Sequence, residues 1–207
     1  MTTLAKLTAE TTVPDYSPLT AQQIAALTVM QFPHTEPAAL VAEARAVVDA
    51  LEEANAKARA AYEADAWAVL TPCDPFTRGY IGAAASNGAE YPTGHPAADS
   101  DRDNTICPEE IHPDGLREMV ADCERFQREN AATLEAAYAS GEVRAVNCSV
   151  QEQAGYDFYM TRTRNGVGFW EDGDWPEAEG EALTEAAQKY PEEVYLYTAD
   201  DGTIQLG

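Results

Sequence analysis

The sequence predicts an α+β fold in which a helical N-terminal half packs on a small antiparallel sheet in the C-terminal third. Between residues 20 and 140, apolar residues recur three and four positions apart, the spacing of amphipathic helices. From residue 150 to 207 the pattern changes to strand signals around one helix, in the order ββαββ. The clearest strand signal surrounds Asn165-Gly166, a dipeptide that favours the tight turn of a β-hairpin. We expect residues 1–207 to form a single domain, since this length suffices for one substantial core.

Three helices are predicted in the first part of the chain. Residues 1–19 show little periodicity and are expected to form a flexible segment. A short helix over 20–30 begins with a capping box, and Pro33 ends it. A longer helix over 37–67 has an alanine-rich apolar stripe, which suits packing within the molecule or a seam between copies of the chain. A third helix follows from residue 74.

Residues 85–112 are rich in Gly, Pro, Asn and Asp and are predicted to form a long irregular loop. Within it, four acidic residues have the ligand spacing of an EF-hand calcium loop, namely Asp99, Asp101, Asp103 and Glu110. The match is partial, because Asn104 stands where such a loop has its glycine and residues 88–94 do not suit the entering helix. We therefore expect a solvated acidic loop without a metal.

An amphipathic helix is predicted over 113–140, with Pro113 at its first position and Gly141 at its end. Its arginines lie among acidic residues, which indicates ion pairing on a solvated face and disfavours a nucleic-acid-binding surface. The 20–140 part is thus predicted to be mainly helical, interrupted by the irregular loop.

The predicted hairpin covers residues 155–170. Tyr156, Phe158 and Met160 would share one face of its first strand, and Phe169 would continue the apolar side after the turn. A helix over 176–190 and two short strands over 194–197 and 203–206 complete the ββαββ order. We expect the aromatic side chains of the hairpin to form the centre of the core.

Negative charge dominates the surface of the chain. The formal net charge is -23, and residues 171–201 hold eleven acidic residues against one lysine. Such a surface repels nucleic acids and anionic lipids and attracts basic proteins, so the predicted partner is a basic, nucleic-acid-binding host protein. The predicted binding surface consists of Glu171, Asp172, Asp174, Glu177, Glu179, Glu181, Glu185, Glu192 and Glu193.

The sequence matches no catalytic template, phosphate-binding loop or metal-binding spacing, and no cofactor is expected. The remaining candidate for chemistry is a pocket beside the hairpin, formed by Tyr156, Asp157, Arg162, Arg164 and Trp170. A carboxylate, a phenol and two guanidinium groups would surround an anionic small molecule there. The alternative is that Asp157 and Arg162 pair across exposed positions of the sheet.

Several segments resemble a family of small acidic proteins encoded by bacteriophages and other mobile elements. They are GYDFYMTR at 155–162 and GVGFWE at 166–171, together with IHPDGL and DCERFQ in the helix after residue 110. With a further segment over 76–84, the resemblance covers roughly residues 74–207. The family has histidines near the positions of Tyr156 and Asn165, so histidine chemistry of its members does not carry over. The family has no settled biochemical function, so the resemblance implies a phage or mobile-element protein in a bacterial cytoplasm and no particular reaction.

Three functions remain open from the sequence. The first is a non-enzymatic interaction protein, such as a nucleic-acid mimic that blocks a host defence protein, because carboxylates are densest in 171–201. The second is a small enzyme or ligand-binding domain with its pocket beside the hairpin. The third is a virion or assembly protein that uses the long helix over 37–67 as its subunit contact. A cytoplasmic location is expected, because the N-terminus lacks a signal-peptide pattern and no segment is apolar enough to span a membrane.

Overall fold

The computed structural model describes residues 21–31, 37–87, 106–171, 173–192, 194–199 and 203–207. This part of the chain is mostly helical, with seven α-helices and one two-stranded antiparallel sheet. The helices are α1 (Ala21–Gln31), α2 (Ala38–Leu70), α3 (Pro75–Asn87), α4 (Pro113–Glu129), α5 (Ala131–Ser140), α6 (Val150–Arg162) and α7 (Glu177–Ala187), and the strands are β1 (Leu196–Thr198) and β2 (Ile204–Leu206). The α+β prediction therefore holds in outline, with much less sheet than expected.

The chain divides into two compact units, one up to Ala61 and the other from Tyr62 onward. In the first unit, α1 and the N-terminal part of α2 bury a small cluster of Ala25, Ala26, Val29, Leu40 and Ala44. Leu40 and Ala44, at the start of the long helix, thus pack within the molecule, whereas Ala54, Ala58 and Ala61 farther along its apolar stripe are exposed. The segment 1–19 lies outside the described residues, and the expectation of a single domain stays a prediction.

The core of the second unit is an aromatic cluster centred on Phe158 of α6. Its ring lies 4.0 Å from Phe126 of α4 and 5.2 Å from both Tyr80 of α3 and Tyr190, between ring centroids. Phe158 is fully buried, as expected for the centre of the core, although it lies on a helix. Aromatic pairs at such distances add to the free energy gained from burying their apolar area.

The predicted hairpin over 155–170 is wrong, because α6 occupies its first half. Ser149 caps this helix: its hydroxyl accepts from the Glu152 backbone N–H, and the Glu152 carboxylate accepts from the Ser149 backbone N–H in return. From Ala154 to Arg162 every residue except Tyr156 is buried. A helix buried on nearly all sides has no polar face, so its aromatic residues mimic the alternation of a strand. Asn165-Gly166 lies in an irregular loop after α6 and does not connect two strands.

One further boundary differs from the predictions. The helix expected over 113–140 is two helices, because Asn130 leaves the helical conformation with a φ of -115°. Gly141 ends α5 with a φ of 72°, as predicted for a glycine after a helix. The two short strands at the C-terminus do pair, with Tyr197 opposite Gln205. The sheet thus consists of the last two predicted strands, and the ββαββ order is not observed.

Candidate functional site

An open cleft of about 780 Å³ lies between α7 and the loop that precedes it. Aromatic and acidic side chains dominate its walls, and we call it the acidic cleft: Phe169, Trp170, Glu171, Trp175, Glu177, Glu181 and Glu185. Gly173, Pro176, Gly180 and Thr184 complete the lining, and none of these described lining residues is a lysine or an arginine. Four of the nine acidic residues predicted to form a binding surface therefore lie together in one concave site.

Three of the four carboxylates come from a single face of α7. Glu177, Glu181 and Glu185 are spaced four residues apart, so they stand one above another along the helix, and all three are exposed. Like charges at this spacing destabilise a helix by about 0.2 to 0.5 kcal/mol per pair. For Glu177 this repulsion is partly offset, because the residue lies in the first turn, where the helix dipole favours an anion. The acidic row as a whole does not stabilise α7.

The opposite wall is a loop that is hydrogen-bonded to α6 and packed closely against α7. The Thr161 hydroxyl, which is fully buried, accepts from the Phe169 backbone N–H at 3.0 Å. Gly168 has a φ of 146°, and a Cβ there would lie 2.3 Å from the Thr161 hydroxyl oxygen. On the other side, Gly180 lets the Phe169 carbonyl approach α7, because a Cβ on Gly180 would lie 2.7 Å from that oxygen. These contacts fix the loop, so the aromatic wall is formed before any ligand binds.

Asp157 supports this wall from behind. Its carboxylate accepts from Trp175 Nε1 at 2.8 Å and from Gln153 Nε2 at 3.1 Å, and it is 4% exposed. Burial raises the pKa of Asp157 to about 6, with smaller increases from the negative charges of Asp174 and Glu171, while its two hydrogen bonds act in the opposite direction. Asp157 is thus a buried support for Trp175 and not an exposed residue of a sheet.

Arg162 is buried too, but it faces a different part of the core. Its Nη1 donates to Asp122 Oδ2 at 2.6 Å and to the Tyr80 hydroxyl at 2.9 Å, and its Nε donates to the Pro191 carbonyl at 2.8 Å. The expected pairing of Asp157 with Arg162 across a sheet is therefore wrong, because both residues lie on α6 and have other partners. Burial also raises the pKa of Tyr80, so this phenol stays neutral and accepts the hydrogen bond of Arg162.

The other three residues of the predicted pocket do not form a common site with Asp157 or Arg162. Arg164 is exposed, has a φ of 54° and pairs with Glu192 at 3.2 Å. Tyr156 is half-buried on α6, and burial raises the pKa of its hydroxyl. Trp170 is 39% exposed and is the one member of the predicted pocket that lines the acidic cleft.

The remaining predicted acidic residues lie away from the cleft lining or outside the description. Asp174 pairs with Arg144 at 3.5 Å, and Glu179 is half-buried on another side of α7. Glu192 is the partner of Arg164. Asp172 and Glu193 lie outside the described residues.

Of the four residues that have the spacing of a calcium loop, the structure describes only one. Asp99, Asp101 and Asp103 lie outside the described residues. Glu110 ends a short 3-10 helix over Pro108–Glu110, and its carboxylate accepts from the Cys107 backbone N–H at 2.8 Å. Across the described ranges, no group of three or more His, Cys, Asp or Glu side chains is arranged to hold a metal ion.

No helix in the described part of the chain is long and apolar enough to cross a membrane. No protein family, curated protein or solved structure matches this chain. The resemblance to acidic proteins of bacteriophages and mobile elements therefore stays a prediction.

Proposed function

We propose that this chain is a non-enzymatic interaction protein that binds a basic segment of another protein in the acidic cleft. One observation carries the proposal: four glutamates and the exposed ring of Trp170 line a single open cleft, and none of the described residues that line it is basic. Carboxylates that are held close together and left without cations attract a basic surface and steer its approach. The net charge of -23 adds a long-range attraction for a basic partner.

The shape of the cleft favours a polypeptide over a small molecule. Small-ligand pockets are mostly apolar and bury most of the surface of their ligand. The acidic cleft is open to solvent and is lined by Glu171, Glu177, Glu181 and Glu185, which would leave much of a small ligand in water. The two buried ionisable residues that were candidates for chemistry, Asp157 and Arg162, are occupied by structural hydrogen bonds. The geometry of the acidic cleft therefore fits a protein-binding surface better than a small-molecule pocket.

The class of partner that we propose is a bacterial protein whose basic surface normally binds DNA or RNA phosphates. A row of carboxylates presents negative charges to such a surface as a nucleic acid does, and would compete for it. The resemblance to phage and mobile-element proteins supports a role in blocking a host protein, including a defence protein, in the bacterial cytoplasm. Such a role would explain why acidic residues are concentrated where they do not stabilise the fold.

The test is a displacement experiment with a charge-matched control. Duplex DNA immobilised on beads is loaded with proteins from a bacterial lysate, and the purified chain is added at low and at physiological salt. We expect it to release a defined set of proteins, and we expect the E177Q/E181Q/E185Q variant to release them about ten-fold less effectively at low salt. The control is E118Q/E124Q/E129Q, which removes the same charge from exposed positions on α4.

The two variants separate a specific site from general acidity. Both should remain folded, because E177Q/E181Q/E185Q removes two repulsive pairs from α7 and the control changes only exposed residues. If both variants displace proteins as well as the original chain, or lose the ability equally, the acidic cleft is not the binding surface and the proposal is wrong.

A further inference from the structure

We infer that the occupant of the acidic cleft is an extended segment with arginine at alternate positions, one arginine of which stacks on Trp170. This inference rests on the proposed function and specifies the chemistry and conformation of the partner. It depends on the spacing of the glutamates and on the exposed indole ring. Each of these is independent of the total charge.

The carboxylates of α7 have the repeat of an extended chain. Glu177, Glu181 and Glu185 are separated by one helical step of four residues each, which is about 6 Å along the axis at 1.5 Å per residue. In an extended segment, side chains on the same face are two residues apart, or about 6.6 Å. Three alternate side chains of a strand laid along α7 would therefore meet the three glutamates with a total mismatch of about 1 Å.

The walls of the cleft favour arginine over lysine. A guanidinium group is planar, stacks on aromatic rings and binds carboxylates through two parallel hydrogen bonds, whereas an ammonium group is compact and strongly hydrated. Trp170 offers an exposed ring in the same cleft as the glutamates. Its neighbour Phe169 is held by Thr161, so the ring sits on an anchored loop. Two described arginines that pair with acidic residues of this region are Arg144, which pairs with Asp174, and Arg164, which pairs with Glu192.

The test compares two labelled peptides of identical composition and charge. One alternates three arginines with glycines, and the other places the three arginines in one block. Binding to the full chain is measured by fluorescence anisotropy at low salt. We expect the alternating peptide to bind at least about five-fold more tightly, and we expect this preference to disappear in E177Q/E181Q/E185Q but not in E118Q/E124Q/E129Q. The two peptides have the same net charge, so a preference for one of them reports the spacing of the arginines.

A second arm tests the stacking. Trp170→Leu keeps an apolar side chain at an exposed position, and it should weaken the alternating arginine peptide about two- to five-fold, the range expected for an exposed cation–π contact. Trp170→Phe should retain part of the affinity, because a phenyl ring still offers an aromatic face. The lysine version of the peptide should respond less to either change. Thermal unfolding of both variants establishes that they are folded.

Several results would overturn the inference. They are equal affinities for the two peptide orders, tighter binding of a helix-forming peptide with arginines four apart, no binding of either peptide, and an unchanged affinity in Trp170→Leu. If the peptides bind equally but still depend on Glu177, Glu181 and Glu185, this inference fails while the proposed function stands. If neither peptide binding nor protein displacement changes in E177Q/E181Q/E185Q, both proposals fail.

Discussion

Gly155→Ala is expected to destabilise the second unit by about 3 kcal/mol or more, because it forces apart two helices whose backbones touch. A Cβ on Gly155 of α6 would lie 1.8 Å from the Phe76 carbonyl oxygen of α3. A Cβ on Gly79 would in turn lie 2.0 Å from the Glu152 carbonyl oxygen. Both obstacles are backbone atoms within helices, so no side chain can turn away to relieve the clash. Separating α3 from α6 would also loosen the packing around Phe158.

The matched control for this substitution is Gly82→Ala. Gly82 lies on the same helix, α3, and nothing surrounds the position that its Cβ would take within 4 Å. Alanine there should stabilise the chain by about 0.5 to 1 kcal/mol, since glycine is a poor helix former. Urea unfolding of the two variants measures both effects. If Gly155→Ala and Gly82→Ala change the free energy of unfolding alike, the close contact between α3 and α6 is wrong.

Asp157→Asn should change how the stability of the chain depends on pH. Burial raises the pKa of Asp157 from 3.8 to about 6, so the folded chain holds this proton more tightly than the unfolded chain does. The stability that comes from the protonated form is fully present below about pH 4 and is lost as the pH rises through 6. The whole shift corresponds to roughly 3 kcal/mol, and roughly 1 to 1.5 kcal/mol of it falls between pH 5 and 7.5.

The asparagine variant isolates this effect from the many other carboxylates. Its amide oxygen still accepts from Trp175 Nε1, and its amide nitrogen can donate to Gln153 once the Gln153 amide turns over. We therefore expect Asp157→Asn to gain stability relative to the original chain as the pH rises from 5 to 7.5. Denaturant unfolding of both proteins at several pH values gives the difference. A difference that is constant over this range would show that Asp157 has an ordinary pKa, and a difference that changes in the opposite direction would show that its pKa is lowered in the folded chain.

The sequence predicted elements best where one face is buried and the other is solvated. This was so for α4 and α7, whose polar faces made the helical period visible. It failed for α6, because the C-terminal part of that helix, from Ala154 to Arg162, is buried except for Tyr156, and its pattern of aromatic residues suited a strand. Gly155 looked like a strand residue for the same reason. Its use as a contact point between helices depends on Phe76, which is far away in the sequence.

The acidic row of the site was predictable, but the cleft was not. The spacing of Glu177, Glu181 and Glu185 on a helix follows from the sequence alone. The opposite wall depends on contacts between distant segments, such as the hydrogen bond from Trp175 to Asp157. The network around Arg162 likewise joins residues 40 and 82 positions away, and nothing in the local sequence signals it. Long-range hydrogen bonds of this kind become visible only when the fold is known.

The three tryptophans provide the most direct test of where a basic partner binds. Trp170 and Trp175 line the acidic cleft, whereas Trp67 is 51% exposed on α2 and serves as an internal control. An arginine-rich peptide is titrated into the ¹⁵N-labelled chain, and the indole N–H resonances are followed by NMR. We expect the Trp170 signal to shift most, the Trp175 signal to shift less because its N–H is bonded to Asp157, and the Trp67 signal to stay in place. Saturable shifts at Trp67 with none at Trp170 or Trp175 would contradict binding in the acidic cleft.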